Sequence, residues 1–153
     1  LQIYAPRTFM GPTSAAIGPG LPLAIGAAAG TGKKTLVIHG DGGFMLHATE
    51  LATATQYQLP LIVCVFNDSG YGVLRGLQSQ EFDGRYGDTD LGFIDFVALA
   101  QSMGMKGATI TSLVEFNEAF AQAMNHEGPY LINIDMRELT PMRGSILPKE
   151  QSS

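Results

Sequence analysis

Two short polar segments hold the residue types best suited to chemistry: His39-Gly40-Asp41-Gly42-Gly43 and Asn67-Asp68-Ser69-Gly70-Tyr71. Each follows an apolar, β-branched run, Thr35 to His39 (TLVIH) and Leu61 to Phe66 (LIVCVF). Such runs read as buried parallel strands. In open α/β sheets, ligands bind beyond the carboxyl ends of the strands, and neighbouring strands here would bring Asp41 and Asp68 side by side. Two adjacent carboxylates repel unless a cation lies between them. Oxygen donors favour Mg²⁺ or Ca²⁺ over zinc, and Mg²⁺ takes one or two carboxylates together with phosphate oxygens. Gly42 and Gly43 open a helix, whose free N–H groups favour an anion. Cation and helix end together point to a bound diphosphate or triphosphate. The plainer reading, two ordinary strand-to-helix turns with Asp as N-cap, loses ground because both segments sit at matched strand ends.

The elements that must position these residues follow from periodicity and breakers. Residues 1–12 are irregular, with Pro6, Gly11 and Pro12. Thr13 to Gly30 is rich in small residues and compatible with a helix after Pro22, and Gly26 and Gly30 would let it pack closely on a sheet. Phe44 to Tyr57 has helical spacing and stops at Leu59-Pro60. Tyr71 to Gln80 reads as a short helix, Glu81 to Gly92 as a loop or lid, and Phe93 to Met103 as an amphipathic helix ended by Gly104. Lys106 to Ile110 is a third strand. Ser112 and Glu115 form a capping box for a helix ending near His126, and Tyr130 to Ile134 is the last strand. Alternating strands and helices predict an α/β fold with a doubly wound parallel sheet in three layers.

Composition narrows the function. The chain has 153 residues, a net charge of −5 and a pI near 5.0, which argues against a nucleic-acid partner. No run approaches the ~18 apolar residues of a membrane span. The single cysteine, Cys64, lies in a strand and reads as a buried, inert thiol. With no signal peptide visible, a cytoplasmic protein is expected. A first residue other than Met and a first segment without a clean strand predict a fragment of a longer polypeptide. There is no G-x-x-x-x-G-K-S/T loop, and Gly18-Pro19-Gly20 is followed by Leu23 where the dinucleotide fingerprint needs glycine. A nucleotide or coenzyme A on a doubly wound sheet is therefore the weaker alternative.

The stretch GDGGFMLHATELATATQYQLPLIVCVFNDSGYG resembles the signature of thiamine diphosphate (ThDP)-dependent enzymes, in which GDG is followed, one helix and one strand later, by N-N or a close variant. IGPGLPLAIGA upstream, ELATA…LP within, GFIDFVALAQSMGMKG and the closing GPYLINID are also similar to the acetolactate synthase and benzoylformate decarboxylase families. The resemblance runs from about residue 10 to residue 137, in four blocks in the right order. It implies the diphosphate-binding (PP) domain of the ThDP-binding fold over 13–137, after a lead-in at 1–12 and before a tail at 138–153.

What the resemblance implies for the site is specific. Asp41 and Asp68 match the side-chain ligands of Mg²⁺, and the main-chain carbonyl of Gly70 the third protein ligand. Asp68 departs from the commoner Asn; it keeps a hard oxygen and adds a negative charge. Gly42 and Gly43 match the residues whose backbone approaches the diphosphate, with a further donor from Tyr71, Gly72 and Val73. Ile17 matches the apolar residue that props the cofactor in its bent shape; by its type alone it reads as core. The family acts on 2-keto acids as decarboxylases or carboligases. Its activating glutamate comes from a pyrimidine-binding (PYR) domain absent from this chain, usually of a neighbouring subunit, so the fragment alone is expected to be inactive and the protein a homo-oligomer. A catalytically silent regulatory or scaffolding domain is the alternative. His47 either lines the site or serves structurally, His39 is buried at the sheet end, His126 ends a helix, Glu50 is a candidate for a subunit contact, and Arg75 reaches either a substrate carboxylate or a neighbouring loop.

Overall fold

The computed structural model describes residues 3, 5–11, 13, 14 and 16–137. The tail expected at 138–153 lies outside the described residues. Four parallel strands form one sheet: β1 (Thr35–Gly40), β2 (Leu61–Asn67), β3 (Lys106–Ile110) and β4 (Tyr130–Asp135), in the order β1-β2-β4-β3. The sequences explain the order. LIVCVFN and YLINID are apolar almost throughout and take the two central places, where both faces are covered. TLVIHG and KGATI bury only alternate or scattered residues and take the edges.

Successive residues of β2 point to opposite faces. Leu61, Val63 and Val65 enter one core with Leu21, Phe44, Leu51, Phe96 and Leu131. Ile62 and Cys64 enter the other with Ala119, Ala123, Ile132 and Ile134. The first core is closed by helices α1 (Gly20–Thr31), α2 (Asp41–Met45), α3 (Leu51–Gln56) and α5 (Phe96–Ser102). The second is closed by α6 (Leu113–Asn125). Helix α4 (Gly72–Glu81) buries none of its ten residues. The result is the expected three-layer parallel α/β fold. Among the described residues no helix is long and apolar enough to cross a membrane.

Three local expectations need correction. The helix read over Phe44 to Tyr57 begins earlier, at Asp41, and is broken: α2 ends at Met45, a 3-10 turn follows at Ala48–Glu50, and α3 resumes at Leu51. The bonding tightens at the break, with the His47 amide donating to the Phe44 carbonyl and the Glu50 amide to the His47 carbonyl. Gly18 wedges against this point; a Cβ there would lie 2.8 Å from His47 Nδ1 and 3.0 Å from Leu46 Cβ. Gly26 and Gly30 do not mediate close packing, because both face open space and α1 packs through Leu21, Ala24 and Ala28. The helix read from Phe93 starts at Phe96, since the Asp95 side chain caps it by accepting from the Ala98 amide (2.9 Å). The cap on α6 forms where expected: Ser112 Oγ accepts from the Glu115 amide, and the return bond of Glu115 Oε2 goes to the Thr111 amide, one residue before the cap.

Cys64 is buried, and burial pushes its thiol up to about 11, which keeps it inert. Phe44, in the GDGGF turn itself, is fully buried and meets Phe96 edge-on at 5.4 Å between ring centres. The residue that follows the candidate site thus anchors that site to the core. Phe44→Ala is expected to cost about 3–5 kcal/mol in urea denaturation; a loss under about 1 kcal/mol would show that the turn is held by other means.

Candidate active site

β1 and β2 pair in register from Thr35 opposite Leu61 to Gly40 opposite Phe66, so both polar segments leave the sheet at the same level. Asp41 is only 3% exposed. Its carboxylate joins the two segments: Oδ1 accepts from the Gly42 amide (2.8 Å) and Oδ2 from the Gly70 amide (3.0 Å). Burial raises its pKa. The backbone donors oppose that rise, and the negative charge of Asp68 adds to it. A buried carboxylate in this position gains from a cation more than an exposed one would.

Asp68 is placed on the same side. Its carboxylate lies against the first turn of α4, where a Cβ on Gly72 would come within 2.3 Å of Oδ2. The N-terminus of α4 has no side-chain cap, since Tyr71 at the capping position offers no hydrogen bond. First-turn amide groups at Gly72 and Val73 are suited to an anion. The Tyr71 ring covers Gly42, with ring atoms 2.4 Å from where a Cβ would stand, so glycine is required there.

Ile17 is 59% exposed and sits directly beside Gly43, its Cγ2 3.4 Å from where a Cβ of Gly43 would be. Core packing does not account for it; an exposed apolar side chain stands next to the glycine turn instead. The two histidines pack under the same turn. A Cβ on Gly20 would meet His39 Nε2 at 2.5 Å, and burial followed by the nearby His47 lowers the pKa of His39. The G-P-G of this chain is therefore a close-packing device. Glu50 Oε2 accepts from Thr53 Oγ1 on its own helix (2.8 Å), and His126 follows the last residue of α6.

The residues match an oxygen-loving divalent cation. Two carboxylates and a neighbouring glycine backbone are the donor types such a cation takes; among the described residues no three His, Cys, Asp or Glu side chains gather into a metal-holding group, so a cation here would rest on Asp41, Asp68 and backbone or cofactor oxygens.

Sequence reasoning missed the residues that shape this loop. Asn67 Oδ1 accepts from the Ser69 amide (3.1 Å), an Asx turn that supports Ser69 in the left-handed region at φ 56°. The Asn-Asp-Ser-Gly run carries that signal. Thr89 to Leu91 form a strap across the loop: the Tyr71 amide donates to the Thr89 carbonyl and the Leu91 amide to the Ser69 carbonyl, both at 2.9 Å. Nothing in the sequence announces that pairing. Arg75 turns to the neighbouring loop, bonding the Ser69 carbonyl and Asp90.

The family model for the thiamine pyrophosphate enzyme C-terminal TPP-binding domain matches residues 1–134. The chain belongs to that family. It is 37% identical over 135 residues to a probable acetolactate synthase large subunit of Methanococcus aeolicus, covering 86% of this chain and 22% of that protein. It is 36% identical over 137 residues to an acetolactate synthase of Bacillus subtilis, covering 88% of this chain and 24% of the relative. Among solved structures, it resembles a ThDP-dependent 4-hydroxybenzoylformate decarboxylase of Rhodococcus jostii RHA1 with a TM-score of 0.74 and 32% identity, over 78% of this chain and 23% of that one. The chain thus spans about a quarter of the length of these relatives. It is a ThDP-binding domain of acetolactate synthase-like enzymes.

Gly70 is where the loop is least tolerant. An added Cβ would stand 2.0 Å from Arg75 Nη2 and 2.5 Å from the Thr89 carbonyl oxygen. Gly70→Ala is expected to push loop and strap apart and to weaken ThDP binding, measured calorimetrically in the full-length protein, by about tenfold or more, which is ~1.4 kcal/mol. Unchanged affinity would mean that the loop does not shape the cofactor site.

Proposed function

We propose that this chain is the part of a ThDP-dependent decarboxylase or carboligase that holds the cofactor's diphosphate and its Mg²⁺. The reading rests on the buried Asp41 carboxylate bridging the Gly42 and Gly70 amides, with Asp68 beside it. Asp41, Asp68 and the Gly70 carbonyl would hold the cation. Gly42 and Gly43 would let the diphosphate approach the backbone closely, with Gly72 and Val73 supplying donors from the start of α4; the Tyr71 amide, expected as a further donor, is instead taken up by the Thr89 carbonyl. Ile17 would brace the bent cofactor.

Bound ThDP supplies the carbanion chemistry by which a 2-keto acid loses carbon dioxide or joins a second carbonyl compound. This chain's residues fix position and charge; the activating glutamate is assigned to a PYR domain of the same or a neighbouring polypeptide. The surface around the site agrees with such a partner. Val73, Leu74 and Leu77 on α4 are exposed, as is Ile17, and exposed apolar groups beside a site mark an interaction surface. A homo-oligomer of a longer protein fits this reading. The relatives named as acetolactate synthases favour carboligation, and a 2-keto acid is the substrate class in either case.

Titrating ThDP into the full-length protein is expected to show saturable binding that requires Mg²⁺ and is lost in Asp41→Ala, whereas Asp68→Asn keeps it. The full-length protein is expected to turn over a 2-keto acid, and this chain alone is not. Binding without turnover would favour a silent scaffolding role. Absence of binding by the folded protein would contradict the cofactor assignment.

A further inference from the structure

The guanidinium of Arg75 stands where three segments meet. Nη2 donates to the Ser69 carbonyl (2.9 Å) and Nη1, at longer range, to the Asp68 carbonyl (3.3 Å). Nε and Nη2 both donate to Asp90 Oδ1, at 3.0 and 2.7 Å. By contrast, Nη1 comes no closer than 3.6 Å to Asp68 Oδ2, beyond hydrogen-bond length. Arg75 therefore grips the backbone of the loop and the strap firmly and the Asp68 carboxylate only loosely. That carboxylate stays available to a cation while the loop carrying it is fixed.

The loop needs such a grip. Ser69 is not glycine yet adopts φ 56°, a conformation that persists only where the surroundings determine it. Asn67 holds its amide, while Arg75 and the Leu91 amide hold its carbonyl. The Gly70 amide, next in the chain, reaches Asp41 Oδ2. One side chain thus links the strap, the left-handed residue and the loop of the second carboxylate. The closeness is built in, because Gly70 leaves space that any side chain would take from Arg75.

We propose that Arg75 is a positioning residue of the cation site, clamping the Asp68–Gly70 loop to Asp90 of the strap in the conformation that binds the metal. This rests on the reading that a divalent cation binds at Asp41 and Asp68. The role requires the planar fork of arginine, which reaches two carbonyls and a carboxylate at once; a lysine would keep the charge and lose the fork.

The test titrates Mn²⁺, as a paramagnetic probe, into the full-length protein at a fixed excess of ThDP. Arg75→Met and Arg75→Lys are both expected to weaken Mn²⁺ binding by about tenfold or more. Hydrogen exchange should quicken over 69–75 and 88–92 and stay unchanged over 130–135 in the core. Asp90→Asn, which breaks the clamp from the strap side, is expected to weaken Mn²⁺ as well and decides the matter should Arg75→Met not fold. Wild-type Mn²⁺ affinity in Arg75→Met or Asp90→Asn would overturn the proposal. So would recovery in Arg75→Lys, which would reduce the role to charge. If the wild-type protein binds no Mn²⁺, the cation reading itself has failed and the clamp falls with it, a failure visible before any variant is made.

Discussion

A carboxylate buried between two strand ends organises this domain. Asp41 leaves β1, turns its oxygens to the amides of Gly42 and Gly70, and thereby fixes the turn after β1 against the loop after β2. Its cost is desolvation, which raises its pKa, and the nearby charge of Asp68 adds to that cost. Amide hydrogen bonds offset part of it. A bound cation would offset more, and a site that is costly when empty gains correspondingly from its ligand.

The rest of the fold holds that carboxylate in place. Register between β1 and β2 sets the two loops level. Phe44 locks the GDGG turn into the core from below. Glycines stand where backbone or rings approach too closely for a Cβ: Gly42 beneath Tyr71, Gly70 against Arg75 and Thr89, and Gly72 against Asp68. The strap at Thr89 to Leu91, pinned to Ser69 and Tyr71, closes the arrangement from outside.

Much of this was legible in the residues. β2 is an uninterrupted apolar run as far as Asn67 and β4 is broken only by Asn133 before its end at Asp135, so both read as buried strands, and the two Asp-bearing loops follow from where β1 and β2 end. Ser112 and Glu115 announced the cap of α6 by spacing alone. What escaped the sequence depended on distant contacts. The break at Leu46 and His47 arises where Gly18 packs against the helix, and periodicity within 44–57 carries no trace of a partner almost thirty residues upstream. The Arg75 to Asp90 pairing spans 15 positions through a loop without pattern. Ile17 looked like core by its type but is exposed, in the segment before α1 begins at Gly20. The brace proposed for it comes from the resemblance to ThDP enzymes, not from residue type.

The cation proposed between Asp41 and Asp68 is what gives the two loops their function. The most direct measurement is anomalous diffraction at the manganese edge from crystals of the full-length protein grown with Mn²⁺ and ThDP. One strong peak is expected within ligating distance of the Asp41 and Asp68 carboxylates and the Gly70 carbonyl, roughly 2.1 Å for a small hard cation. A peak elsewhere, or cofactor density with no metal at these two aspartates, would contradict that assignment.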